Sequence, residues 1–284
     1  MIRSQLRLVL RCTLALAIAA IFPTAQAQLI IAHRGASADA PENTLAAFKL
    51  AWERGADGIE GDFYLSKDGE IVCIHDGTTQ RTSGKKANLV VAKTSFAELR
   101  KLDVGSWKNP KFASERIPTL REVIKTIPPE KQIFIEIKCG KEIVPVLKQQ
   151  LAESPDLKPE QISIISFKEE VISACRKQLP HLTANWLVSY KEDKETAELK
   201  PAADSVFTSL LRTGASGLGT QAQTKVIDRA FVTRLRDAEW GFHCWTVNDP
   251  AVAKQFQALG VDSITTDRPA FIRQAIAATP DPQD

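Results

Sequence analysis

The sequence predicts an α/β fold, a (β/α)8 TIM barrel with a small insertion after the second strand and its hairpin. Three observations carry this. Short β-rich runs alternate with amphipathic stretches along the chain, the pattern of parallel strands joined by helices. Eight such pairs fit into about 250 residues, the length a closed barrel needs. A doubly wound open sheet is the competing architecture, but no Gly-rich phosphate fingerprint follows the first strand.

The first pair is the run 29–33, opening Leu-Ile-Ile, and the helix 44–54 behind an N-cap at Asn43 or Thr44. The second strand, 57–62, continues into a hairpin centred on Asp68-Gly69, a strong turn signal between two β-prone runs. Between Asp76 and Pro118 the chain is polar and punctuated by Gly and Pro, with only a short helical candidate at 95–102. Connections of that length are usually functional, so an inserted subdomain is expected over about 77–118. Helix 119–127 completes the second unit. The remaining pairs are strand 132–138 with helix 141–153, 161–167 with 168–179, and 183–189 with 192–199. They continue with 215–220 and 227–238, 241–247 and 250–259, and 261–266 and 269–277. The tail 279–284 is polar.

Residues 1–27 stand apart from this pattern. Arg3, Arg7 and Arg11 precede an apolar run over 13–22, and Ala25-Gln26-Ala27 forms a small-x-small cleavage site. The run is shorter than the roughly 20 residues that span a bilayer. It reads as a cleaved signal peptide, implying an exported, periplasmic or secreted protein with no stable membrane anchor after cleavage. Arg11 before Cys12 argues against a lipoprotein site. From Gln28 onward basic and acidic residues number 34 each, so the net charge of +3 belongs to the leader. A neutral chain of this kind carries no electrostatic footprint for nucleic acid. Cys73, Cys139, Cys175 and Cys244 show no close metal or redox spacing.

In a barrel, chemistry gathers at the strand ends. Here the first ends in His33-Arg34-Gly35, the second in Glu60-Gly61-Asp62 and the third in Glu136-Ile137-Lys138. Alternation along a strand puts Glu60 and Asp62 on one face, and Glu136 with Lys138. Three converging carboxylates repel one another unless a cation lies between them, and hard oxygen ligands select Mg2+ or Ca2+ over zinc. A two-residue turn at Asp68-Gly69 pairs Lys67 with Glu70, which sets His75 opposite Asp62 and returns a histidine to the carboxylates. The plainer alternative is that His75 caps a surface hairpin beside Asp76.

The ordered runs His33-Arg34-Gly35-Ala36, Pro41-Glu42-Asn43-Thr44, Gly55 through Asp62, and His75-Asp76 resemble the glycerophosphodiester phosphodiesterase family. The similarity continues at Glu136-Ile137-Lys138 and Trp245-Thr246-Val247-Asn248, covering essentially all of the chain after the leader. The resemblance implies a metal-dependent barrel that hydrolyses glycerophosphodiesters to sn-glycerol 3-phosphate and an alcohol. By similarity His33 and His75 match the acid/base pair, Glu60, Asp62 and Glu136 the metal ligands, and Arg34 and Lys138 the phosphate contacts. Gly61 stands where many relatives have an apolar residue.

Independent chemistry agrees with those roles. Cations offset the growing charge of a phosphodiester under attack, and histidine suits proton transfer near neutral pH. For Glu42, a helix-dipole role and a role orienting Arg34 or Lys138 both stand. Trp245 could pack on the glycerol moiety or simply fill the core, while His243 and His181 read as structural and solvated. The alternatives are a phospholipase-type or lysophospholipase D-type enzyme, approached over Leu89, Val90, Val91, Phe96, Trp107 and Phe112, and an exported phosphodiester-binding protein. The latter needs the cations but neither histidine.

The leader generates a direct expectation: the exported chain begins at Gln28. Mass spectrometry of the secreted protein checks it, and a product retaining Ala25 to Ala27 would contradict it.

Overall fold

The computed structural model describes residues 28–277; the expected leader, Cys12 and the polar tail lie outside the described residues. In chain order the elements are β1 (Leu29–His33), α1 (Leu45–Glu53), β2 (Gly58–Leu65), β3 (Ile71–Cys73), α2 (Phe96–Leu99), α3 (Leu120–Ile124), β4 (Gln132–Ile137) and α4 (Ile143–Ala152). Next come β5 (Ile162–Ser166), α5 (Glu169–Gln178), β6 (Thr183–Val188), β7 (Lys191–Glu192), β8 (Leu199–Lys200) and α6 (Ala203–Thr213). The chain closes with β9 (Gly217–Gln221), α7 (Arg229–Asp237), β10 (Gly241–Trp245), α8 (Pro250–Ala258), β11 (Ser263–Thr266) and α9 (Pro269–Ala277).

The eight expected strands are present and parallel, and β1 pairs with both β2 and β11, which closes the ring. Closure leaves the eight parallel strands without an open edge, and the short hairpin strand β3 is laid antiparallel on the upper part of β2. Each strand buries two faces. Outward residues such as Ile59, Phe63 and Phe242 pack under the helices with Phe48 and Phe256, forming the main core. Inward residues Ile31, Phe134, Ile165 and Leu187 fill the barrel. Large side chains fit there where the neighbouring strand carries glycine: a Cβ on Gly219, paired with Leu187, would lie 2.5 Å from Leu187 Cδ2. Gly61 faces outward, where a Cβ would meet Phe48, Phe63 and Cys73 at 3.2 Å, so it leaves the inward carboxylates undisturbed.

The segment 77–118 folds around a separate apolar cluster of Val72, Ile74, Val91, Leu99, Val104 and Ile117. Its short helix α2 starts at a capping box between Ser95 and Glu98. No described helix is long and apolar enough to cross a membrane. Cys73, Cys139, Cys175 and Cys244 are free thiols.

Two expectations are corrected. The stretch 192–199 is no helix but the turn of the small hairpin β7–β8. Asp193 Oδ1 accepts from the amides of Glu195 (3.0 Å) and Thr196 (3.1 Å), and Ala197 adopts a left-handed φ of 56°. A charged run with no apolar stripe gains nothing from helix, so this local bonding wins. The helix of that unit is α6, burying Val206, Phe207 and Leu210 and ending at Gly214 with φ 65°.

The hairpin register is also one residue away from expectation. Leu65 pairs with Ile71 and Phe63 with Cys73, because the connection is a three-residue loop, Lys67 to Gly69, with Gly69 at φ 83°. Ser66 favours it, since its hydroxyl accepts from Glu70 N (2.9 Å) and donates to Asp68 (2.6 Å). Asp62 therefore lies opposite Ile74, whose amide donates to the Asp62 carbonyl (2.8 Å), and not opposite His75. His75 follows the end of the ladder.

Phe48 links α1 to the outward face of β2 and is fully buried. Phe48→Ala should cost about 3–5 kcal/mol of stability, read as a lower denaturant midpoint with an unchanged slope.

Candidate active site

The strand ends of β1, β2 and β4 bring the expected residues together. After His33 the chain turns through Arg34 (φ 55°) and Gly35 (φ 82°). At Gly35 a Cβ would lie 2.5 Å from the Ala47 carbonyl carbon, so the close approach of α1 requires glycine. The turn points the Arg34 amide at Glu60 Oε2 (2.9 Å) and its guanidinium at Glu42 Oε1 (3.0 Å) and Asp62 Oδ2 (3.2 Å). Glu42 thus orients Arg34. The helix begins at Thr44, whose Oγ1 accepts from Ala47 N. Asn43 (φ 58°) is freed for the site: its amide donates to Asp62 Oδ2 (2.7 Å), and its Oδ1 accepts from Asp62 N (3.1 Å).

Glu60, Asp62 and Glu136 are buried and each offers an oxygen within 4.8 Å of the others. Lys138 answers part of this charge, with Nζ 2.6 Å from Glu136 Oε1 and 3.2 Å from Asp62 Oδ1. Burial and the neighbouring carboxylates push Glu60 well above the usual carboxylate range, and burial with Asp62 lifts Glu136 to about 7. Burial acts upward on Asp62 too, but Lys138 and Arg34 outweigh it and hold that carboxyl below its ordinary value. Glu60 Oε1 is buried with no hydrogen-bond partner among the described residues. An orphaned carboxylate oxygen beside two more carboxylates is a donor set suited to a hard divalent cation, and these three residues are the group that could hold one.

Both histidines are held at Nδ1 by a carboxylate. His33 Nδ1 lies 2.7 Å from Asp267 Oδ1, and Asp267 also accepts from Ser37 Oγ (2.9 Å) and Asn248 Nδ2 (2.6 Å). Burial would raise the Asp267 pKa, but those donors hold it below the usual carboxylate range. His75 Nδ1 lies 2.7 Å from Asp76 Oδ1, while burial, aided by Arg34 and Lys138, lowers the His75 pKa against the pull of Asp62 and Asp76. Because an ionised carboxylate only accepts, each Nδ1 carries hydrogen and each Nε2 is left for other work. Arg81, from the inserted segment, donates to Asp76 Oδ2 (2.8 Å) and to both oxygens of Glu42 (2.7 and 2.8 Å).

His33, Arg34, Glu60, His75, Glu136 and Lys138 line the polar side of a cavity of about 150 Å3. Its other wall is apolar, with Ile165, Phe167, Leu187 and Trp245. Phe167 meets Trp245 edge-on, ring centres 5.4 Å apart, and the Trp245 indole N–H has no partner among the described residues. Asp62 stands behind the polar side, against Arg34 and Lys138, and Glu42 lies outside the cavity beside Arg34. His243 sits lower in the barrel against Ser263 Oγ (2.8 Å), its pKa pushed down to about 4 by burial, and His181 is exposed. Both stay outside the site.

Sequence reasoning did not single out Asp267, Asn43, Asp76, Asn248 or Arg81 as functional. Asp267 had a usable signal, a carboxylate one residue beyond the last strand. Arg81 had none, because its partners lie 39 and 5 residues away across a fold no local pattern reveals.

The chain matches the model of the glycerophosphoryl diester phosphodiesterase family over residues 33–271. It is 43% identical over 159 residues to a glycerophosphodiester phosphodiesterase of Caldanaerobacter subterraneus, covering 54% of this chain and 64% of that one. A Bacillus subtilis glycerophosphodiester phosphodiesterase is 29% identical over 257 residues, 85% of this chain and 84% of its own. Among solved structures, an Oleispira antarctica phosphodiesterase in complex with the product sn-glycerol-3-phosphate superposes with a TM-score of 0.77 at 29% identity, covering 88% of this chain and 97% of that one.

The carboxylate cluster generates a prediction independent of turnover. Titration calorimetry with Mg2+ or Ca2+ should detect one site per chain, and Glu136→Gln, which keeps the shape but loses a ligand charge, should weaken it at least about tenfold. Undiminished affinity in that variant would remove Glu136 from the set.

Proposed function

Because the chain belongs to the glycerophosphoryl diester phosphodiesterase family, we propose that its cavity is where glycerophosphodiesters are hydrolysed to sn-glycerol 3-phosphate and an alcohol. The observation that carries this reading is the pair of carboxylate-held histidines, His33 and His75, facing one cavity with two cations and the buried carboxylates Glu60 and Glu136, with Asp62 directly behind them. Arg34 and Lys138 take the phosphate, whose negative charge otherwise repels a nucleophile. Glu60, Asp62 and Glu136 would hold a divalent ion, Mg2+ or Ca2+ by their oxygen chemistry, and the ion would supply positive charge against the phosphate.

One histidine Nε2 takes the proton of the attacking hydroxyl and the other gives a proton to the leaving oxygen. Asp267 and Asp76 fix the tautomers that leave those atoms free and stabilise the imidazolium that forms. The apolar wall of Phe167, Leu187 and Trp245 suits the carbon face of a glycerol unit, and it excludes water from all but the reacting side.

A lipid substrate finds less support. Leu89, Val91 and Phe96 of the inserted segment are packed into its own core, the Trp107 indole donates to the Val104 carbonyl (2.8 Å), and Val90 is exposed singly. They leave no continuous apolar approach. The leader-like residues 1–27 support an exported enzyme, periplasmic or secreted.

A coupled assay for glycerol 3-phosphate release tests the reading. EDTA should abolish release and Mg2+ or Ca2+ restore it. His33→Ala and His75→Ala should each lower kcat about 10²- to 10⁴-fold, and exposed His181→Ala should not. Asp267→Asn should lower kcat by about 10² or more with a smaller change in KM, since its main effect is on the His33 tautomer. Normal turnover in either histidine variant would reassign the proton transfers.

A further inference from the structure

A second cavity, of about 530 Å3, opens beside the first and shares His33 and Arg34 with it. The inner cavity is small and half apolar, matched to a three-carbon glycerol unit, so the rest of a diester must extend outward into the second space. The charges on that outer wall are unbalanced. Its acids are already engaged: Glu42 accepts from Arg34 and Arg81, and Asp267 from Ser37 and Asn248 as well as binding His33. Two of its cations have no carboxylate partner among the described residues. Lys108, from the inserted segment, rests one ammonium hydrogen on the Ser37 carbonyl (2.8 Å), leaving two donors. Arg268, next after Asp267, is exposed, with its guanidinium 5.9 Å from the Phe271 ring centre. Ser37 ties Lys108 to the chemistry, because its hydroxyl donates to the same Asp267 oxygen that holds His33.

We propose that this outer cavity is the head-group subsite, and that Lys108 and Arg268 select diesters whose leaving alcohol bears negative charge over those bearing a quaternary ammonium. The proposal rests on the hydrolytic reading above. Spent acids and free cationic donors attract an anionic head group and repel choline, and they do so beside the scissile bond, where the head group must pass. Trp107, also on this wall, adds a surface for a ring or polyol face.

Three diesters that release the same product separate the possibilities: glycerophosphocholine, glycerophosphoinositol and glycerophosphoinositol 4-phosphate, carrying cationic, neutral and anionic leaving alcohols. In the holoenzyme kcat/KM should rise along that order. The anionic substrate should exceed the cationic one about tenfold, mostly through KM, the size of one charge-assisted hydrogen bond. Raising the salt concentration should shrink the ratio. Lys108→Ala and Arg268→Ala should each move the ratio toward one and Lys108→Glu should invert it, whereas Lys177→Ala on the outer helix α5 should leave it unchanged. Thermal midpoints equal to that of the parent exclude a folding defect, and if Lys108→Ala fails to fold, Arg268→Ala carries the test. Comparable kcat/KM for all three diesters, or a ratio indifferent to both substitutions, overturns the head-group assignment while leaving the hydrolytic reading in place. Release of glycerol 3-phosphate from none of the three overturns both.

Discussion

Mutual repulsion among Glu60, Asp62 and Glu136 is the constraint on which the mouth of the barrel depends. Their oxygens lie within 4.8 Å of one another, away from water, where like charges are costly. The chain answers with Lys138 from the same strand end as Glu136 and with Arg34, and it spends two left-handed residues to do so. Arg34 at φ 55° and Asn43 at φ 58° occupy conformations that nonglycine residues adopt at some cost. In return the Arg34 amide reaches Glu60 and the Asn43 side chain bonds both the backbone and the carboxylate of Asp62. These hydrogen bonds fix the orientations of Glu60 and Asp62 although their oxygens stay close in space. The orphaned Glu60 oxygen shows that protein groups alone leave the balance incomplete.

The same economy governs the histidines. Asp267 lies 234 residues from His33, yet strand order makes them neighbours, because closure of the barrel sets the last strand beside the first. Closure therefore serves function directly: an open sheet of the same strands would separate His33 from Asp267. Asn248, at the end of the neighbouring unit, holds Asp267 from the other side, so the orientation of one imidazole draws on three strand ends.

How much of this was legible in the sequence follows from range. Strand ends with paired charges, such as Glu60-Gly61-Asp62 and Glu136-Ile137-Lys138, declare both element and face, because alternation is a property of the backbone alone. The cavity members read from those ends and from the family motifs converge. Errors arose where a local side chain overrode a general pattern. Asp193 captures two amides and turns 192–199 into a hairpin tip, and Ser66 bonds across the loop to select three residues where two were expected. That slip removes the geometric reason first given for His75, which shares the cavity without sitting opposite Asp62. The carboxylates that hold the histidines were illegible for a different reason, since an acid beside a histidine in space has no periodicity to announce it.

The inserted segment explains how His75 is held although the ladder ends before it. Three contacts pin the insertion to the loop between β1 and α1 and to the first turn of α1: Arg81 on Glu42, Lys108 on the Ser37 carbonyl (2.8 Å), and Glu115 on the Ala46 amide (3.3 Å). Arg81 simultaneously grips Asp76, so the carboxylate that orients His75 and the carboxylate that orients Arg34 share one guanidinium. Arginine's planar fork can serve both at once, which lysine's single ammonium cannot match. Arg34 and His75 are thus set in a common frame by a residue that belongs to neither strand. A long polar connection that builds its own core around Val91, Leu99 and Val104 is what presents Arg81 to both carboxylates.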